Sequence, residues 1–192
     1  MDDKLRVVGL DPSMNNWGAA GGYYDRTTRE IKIINLAVTC PVLPKGKQVR
    51  QNSKDLAAAN QLATGAWAAI KEAQVIFVEV PVGSQSARAM ASYGICIGIL
   101  GAMASQGVHF IEVTPIEVKL AATGKKTATK KQMIDAAMTN HPAAPWPWYK
   151  KNGERLISEA KAEHMADACF AIEAGIALPT FQQLMMLGTP SH

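Results

Sequence analysis

Cysteine is scarce in this sequence, and the little there is excludes two kinds of scaffold. The three cysteines, Cys40, Cys96 and Cys169, are odd in number, have no C-x-x-C spacing and stand among apolar neighbours. Neither a disulfide framework nor a zinc knuckle is built that way. Long apolar runs are missing too. The longest, Tyr93 to Ala104, has 12 residues and contains three glycines, against the roughly 20 that span a bilayer. It reads as a buried helix, and no membrane partner is expected. The opening Met-Asp-Asp-Lys lacks the basic and apolar regions of a secretory leader, which gives the expectation of a chain working in a reducing cytoplasm. No internal repeat is present, which sets repeat architectures aside.

What remains is an ordinary globular composition with an uneven charge distribution. The 192 residues, 48% apolar and 19% charged, suit one domain that buries about 70% of the surface of its unfolded chain and needs no covalent or metal staple. The net charge of +4 is mild, but Lys45 to Lys54 holds four basic residues and no acid, and Lys119 to Lys131 holds five and no acid. Stretches of one sign suit a polyanion, although most charge runs are only a solvated face.

Apolar periodicity orders the elements. Arg6 to Leu10, Trp17 to Tyr24 and Ile31 to Val38 read as three strands of an antiparallel meander. Pro41 to Ser53 is a loop, and the alanine-rich Asp55 to Glu72 a helix. Val75 to Val80 (VIFVEV) is too short for a helix and too apolar for a half-exposed strand, so it is expected in a parallel sheet with both faces covered. A helix from Ser84 to Gln106, a strand from Val108 to Val113, and helices at Pro115 to Ala121 and Thr127 to Met138 follow. His141 to Gly153, with three prolines, is expected as a loop, and Ser158 to Glu173 as the closing helix. The expected fold is α/β: a ribonuclease H-like five-stranded mixed sheet, an antiparallel meander followed by βαβ units, flanked by helices. The domain is expected over residues 1–178, with 179–192 a tail of uncertain order.

Four titratable residues stand where an apolar or small residue would be the bland choice: Asp11, Glu79, His164 and Asp167. Asp11 closes the first strand and Glu79 the fourth. If those strands are neighbours, the two carboxylates lie about 4.8 Å apart and repel unless a cation stands between them. His164 and Asp167, i and i+3, share one face of the last helix, and Glu163 is an alternative to His164 there. Carboxylates with at most one imidazole suit a hard divalent ion, Mg2+ or Mn2+, better than zinc. Two such ions are what phosphodiester hydrolysis uses. Each residue also has a plainer reading: Asp11 as an Asp-Pro turn, and His164 with Asp167 as a solvated helix pair. A buried strand glutamate is the hardest to dismiss that way.

Together these residues resemble the RuvC family of Holliday-junction resolvases, from about Arg6 to Ile172. Gly9-Leu10-Asp11-Pro12 resembles the opening strand with its first catalytic aspartate. Phe77-Val78-Glu79 followed by Gln85-Ser86-Ala87 resembles the strand with the catalytic glutamate and the helix after it. Thr114 to Lys119, continuing to Met133, is similar to the family's basic segment, and His164-Met165-Ala166-Asp167-Ala168 to its closing acidic motif. Where family members often have an aromatic wedge, this sequence has Val82.

The resemblance implies a Mg2+-dependent endonuclease, with Mn2+ substituting, that nicks four-way junctions symmetrically as a homodimer and leaves 5′-phosphate and 3′-hydroxyl ends. Asp11, Glu79, His164 and Asp167 are the implied catalytic and metal-binding residues. Lys119 and Lys130 match the family's junction-binding lysines, and Lys125, Lys126 and Lys131 are expected to join them in binding DNA. The glycine-bearing helix from Ser86 to Gln106 is expected to pack either against a second copy or against the sheet. Trp146, Trp148 and Tyr149, beside Lys150 and Lys151, either stack on exposed bases or form a local lid. The alternatives are a nuclease for flaps, replication forks or R-loops, and a junction-binding protein without cutting activity. A sugar kinase or Hsp70-like ATPase opens similarly but needs about twice this length.

Overall fold

A computed structural model describes residues 3–46 and 48–187. Strands β1 (Lys4–Asp11), β2 (Trp17–Asp25) and β3 (Ile31–Thr39) form the antiparallel meander. After α1 (Gln51–Ile70), β4 (Val75–Glu79) joins the free edge of β1 in parallel; after α2 (Ala87–Ser105), β5 (Phe110–Val113) joins β4 in parallel. The sheet order is β3-β2-β1-β4-β5, so the mixed five-stranded sheet and the neighbouring first and fourth strands both stand as expected. Helices α3 (Pro115–Thr123), α4 (Lys130–Asn140), α5 (Glu159–Ile176) and α6 (Pro179–Leu187) complete the chain.

Period-two alternation divides the core. Val7, Val75 and Phe77 project to one face and pack with α3 to α6; Val8, Leu10, Ile76 and Val78 project to the other and pack with α1 and α2. Asp11 and Glu79 continue the parity of Val7 and Phe77, and so face α5. This helix packs hard against the sheet because small residues line both sides of the contact. Ala162, Ala166, Ala168 and Ala171 are fully buried, although Ala160, two residues before Ala162, is exposed. A methyl group on Gly9 would collide with the carbonyl oxygen of Ala168, and one on Gly18 with that of His164. Gly18→Ala therefore pushes backbone against backbone and is expected to cost about 2–3 kcal/mol, measured by urea denaturation. A cost below about 0.5 kcal/mol, the level of an ordinary surface change, would show that α5 is not locked there.

Three elements differ from the sequence reading. The first is the 141–153 segment, which is not simply a loop. Trp148–Lys151 (β6) and Glu154–Ile157 (β7) pair as an antiparallel hairpin. Its turn is Asn152-Gly153, both at positive φ, 52° and 83°, the conformation that a tight two-residue hairpin turn needs. The prolines before it mask this signal.

The second is α2, which is not buried. It is capped by Ser86, whose side chain accepts from the Ala89 N–H, and only Cys96, Ile99, Leu100 and Met103 are buried. By length and composition it is apolar enough to cross a membrane, yet only 22% of it is buried. Methyl groups on Gly94, Gly98 or Gly101 would meet nothing within 4 Å, so these glycines do not serve packing against the sheet. Arg88 at its start grips Asp55 of α1 with two 2.8 Å hydrogen bonds, which hold the Asp55 carboxyl down at about 2.

The third is the C-terminal segment. Pro179–Leu187 is helical, and Phe181 is fully buried, edge-on to Tyr24 and tilted against Phe77, with ring centroids 5.2 and 5.5 Å away. Residues 188–192 of the expected tail lie outside the described residues, as does Lys47 of the first basic stretch.

Candidate active site

The site forms where β1, β4 and α5 meet. In the β1/β4 register Leu10 pairs with Val78, so Asp11 and Glu79 are next in line at the C-terminal ends of adjacent parallel strands. Such strand ends open the crevices in which α/β sheets bind ligands. The close approach of α5 brings its second and third turns against them, and the His164 ring contacts Asp11, Nδ1 to Oδ2 at 2.6 Å. A pocket of about 390 Å³ opens here, lined among others by Asp11, Glu79, Glu163 and Asp167 together with Lys119 and Lys130.

The electrostatics of the pocket are those of carboxylates crowded beyond what the protein neutralises. Burial, then the charges of Asp11 and Asp167, push Glu79 up to about 8 against the pull of Lys119. Burial, then Asp11 and Glu163, push Asp167 up to about 7, with His164 and Lys119 opposing. Asp11 is also raised, by burial, against the hydrogen bond and charge of His164. For His164, burial favours the neutral ring, but the Asp11 hydrogen bond and the charges of Asp11, Glu163 and Asp167 outweigh it and raise its pKa. The two groups therefore share a short polar contact in which each holds its proton more tightly than it would alone.

The oxygen-rich donor set fits a hard divalent cation by its chemistry. Buried acids that raise one another's pKa are acids short of a positive charge. In the arrangement described, His164 is turned onto Asp11, and among the described residues no three His, Cys, Asp or Glu side chains are already drawn to the spacing of a metal cluster.

The residues expected from sequence divide clearly. Asp11, Glu79 and Asp167 converge in the pocket. His164 meets Asp11 but is not among the lining residues, whereas its neighbour Glu163 is, held by Lys130 at 2.7 Å. Lys119 and Lys130 also line the pocket. Lys125 and Lys126 are exposed in the connection between α3 and α4, and Lys131 is exposed on α4 and paired with Asp135 at 2.9 Å. These three stand outside the pocket lining. Lys119 is set by α3, whose Thr114–Glu117 capping box fixes its first turn, and Lys130 by the Thr129–Gln132 box that starts α4. Sequence reading missed Ser13 and Tyr93, which also line the pocket. Tyr93 projects from α2, and only the sheet order reveals that this helix face borders the site.

No family model matches this sequence, and no curated protein does. Solved structures do. The chain is similar to "T. thermophilus RuvC in complex with Holliday junction substrate", with TM-score 0.59 and 18% identity over 97% of this chain and 99% of that one. It is similar to a second "Thermus thermophilus RuvC structure" with TM-score 0.58 and 17% identity over 96% and 98% of the two chains. From its first strand to its last helices, this chain has the fold of RuvC.

Proposed function

We propose that the protein is a structure-selective DNA endonuclease that resolves four-way junctions. One observation supports this most: three carboxylates distant in sequence, Asp11, Glu79 and Asp167, meet in one pocket beside Lys119 and Lys130, on a fold whose solved relative was captured with a Holliday junction. All the acids that cutting requires are present, which favours a nuclease over a junction binder that has lost activity.

Asp11, Glu79 and Asp167 would hold Mg2+, with His164 or Glu163 completing the set, and Mn2+ would substitute. Two such ions, when bound, would supply the chemistry of water activation and of charge neutralisation at the leaving oxygen, and the expected ends are 5′-phosphate and 3′-hydroxyl. The protein's own groups do the rest. Lys119 and Lys130 receive the phosphates flanking the cut, and Lys130 must release Glu163 to do so. Lys125, Lys126 and Lys131 extend the basic track beyond the pocket. The His164 ring, in contact with Asp11 Oδ2, orients that carboxyl group and leaves its other oxygen to the pocket.

Symmetric resolution requires two sites, hence a homodimer. The uncovered glycine face of α2, with Ile97 and Met90 about half exposed, is where a second copy would pack. The nuclease domain, expected to end at residue 178, is taken to extend through α6, whose Phe181 is buried against Tyr24 and Phe77, and the protein is taken to act in the cytoplasm.

The test is a nicking assay on labelled four-way junctions, flaps and linear duplex in parallel. Paired, ligatable nicks in the junction with Mg2+ and none with EDTA are expected, with binding that weakens steeply as salt rises. Faster cutting of flaps would move the substrate to replication intermediates. Tight junction binding without nicks would leave only the binding reading.

A further inference from the structure

We propose that the β6–β7 hairpin is a second DNA-contacting element, a stacking arm for unpaired bases beside the active site. The inference rests on the nuclease reading above and adds a site to it. Between Trp148 and Ile157 the hairpin has three cations, Lys150, Lys151 and Arg155, against one acid, Glu154. Period-two alternation sorts them. In the observed register Trp148 pairs with Ile157 and Lys150 with Arg155, so these four share one face, while Glu154 shares the other with Tyr149, Lys151 and Leu156. The Trp148 face therefore holds cations and no acid.

On that face the Arg155 guanidinium lies over the Trp148 ring, 4.5 Å from its centroid, which fixes the indole with a positive charge against one side of it. Trp148 remains 40% exposed and Tyr149 46%. All of β6 is exposed, and only Leu156 and Ile157 of β7 are partly covered. A two-stranded ribbon this uncovered is marginal on its own, and a part-exposed aromatic flanked by cations is a surface on which single-stranded bases stack.

The base of the hairpin is anchored. Trp146 is buried, its Nε1 donating to the His141 carbonyl at 3.0 Å, and the His141 ring meets Glu173 of α5 at 2.9 Å. The Ser158 N–H donates to the Pro147 carbonyl at 3.1 Å. Of the three aromatics in this segment, Trp146 thus fastens it and Trp148 and Tyr149 face solvent. The anchor also sets the position, since α5 begins two residues after β7, and from Glu159 to Asp167 the helix rises about 12 Å. A ribbon mounted there reaches DNA a few nucleotides from the cut. The occupant that fits is nucleic acid with unpaired or unstacked bases, because a fully paired duplex offers phosphates to the cations but no base face to Trp148.

The test measures binding of the full-length protein to a four-way junction and to linear duplex, in EDTA so that nothing is cut, with ultraviolet cross-linking to a junction bearing 5-iodouracil at the branch. Trp148→Ala is expected to weaken junction binding about tenfold and duplex binding less than about twofold, and Trp148→Phe to retain most of the affinity. The wild-type cross-link is expected on the peptide holding Trp148 and Tyr149, a readout that needs no variant to fold. Lys150→Ala with Arg155→Ala should lower the salt slope by about 2. Unchanged junction affinity in folded Trp148→Ala, or a cross-link elsewhere, overturns the stacking arm and leaves the nuclease reading intact. So does a variant altered only in oligomeric state, which would assign the ribbon to contacts between copies. A wild-type protein with no preference for the junction overturns both.

Discussion

Asp167→Asn is expected to abolish junction nicking while leaving junction affinity within about tenfold of the wild type. The same holds for Asp11→Asn and Glu79→Gln. The carboxylates line the pocket where β1, β4 and α5 meet, whereas the groups proposed to meet phosphates are the lysines Lys119 and Lys130. If these carboxylates hold metal as proposed, removing one would forfeit several kcal/mol of transition-state stabilisation, about 1,000-fold or more in rate, but would remove none of the lysines proposed to bind DNA. Single-turnover nicking rates and filter binding separate the two quantities. Wild-type cutting by Asp167→Asn would remove Asp167 from the catalytic set. The neighbouring pair has its own outcomes: activity retained in His164→Asp identifies the imidazole as a replaceable ligand, and activity retained in His164→Ala assigns the role to Glu163.

The second large effect concerns stability. The metal-free protein is expected to lose stability as pH rises from about 5 to about 8. The sign follows from proton counts. Glu79 is raised from 4.5 to about 8 and Asp167 from 3.8 to about 7. Between those limits the folded chain keeps protons that the unfolded chain has released, so each step up in pH favours unfolding. Below about 4 both states are protonated and the penalty vanishes; above about 8 it is complete. Glu79→Gln removes an ionisable group that repels its neighbours. It is therefore expected to raise the melting temperature near pH 8.5 by about 3–6 °C, or about 1–2 kcal/mol, with little effect near pH 4. Mg2+ supplies the missing positive charge, so it should stabilise the wild type near pH 8.5 more than near pH 5.5, and Glu79→Gln less than the wild type at both. A wild-type melting temperature that rises from pH 5 to 8 without metal would show that the three acids do not crowd one another.

Much of this was legible in the sequence because the relevant patterns are local. VIFVEV could only be a strand covered on both faces, and β4 lies between β1 and β5. Glu79 in that strand then needed a partner, and the parity of β1 and β4 places Asp11 on the same face. What was not legible depended on neighbours. An apolar helix with three glycines reads as buried, yet nothing in α2 itself states that this chain leaves its glycine face uncovered. The Asn152-Gly153 turn was a true hairpin signal overshadowed by Pro142, Pro145 and Pro147. The helical spacing of His164 and Asp167 was right, but the rotation of α5 directs His164 at Asp11 and leaves Glu163 lining the pocket. Phe181 lay beyond the last strong periodic segment, and its burial against Tyr24 and Phe77 depends on the assembled sheet.

The central claim is that acids from β1, β4 and α5 hold a divalent cation in common. The most direct measurement is anomalous scattering from a crystal of the protein grown with Mn2+. A peak in the pocket within coordination distance, about 2.0–2.3 Å, of carboxylate oxygens from Asp11, Glu79 and Asp167 is the expected result. Manganese bound elsewhere on the molecule with that pocket empty would contradict it.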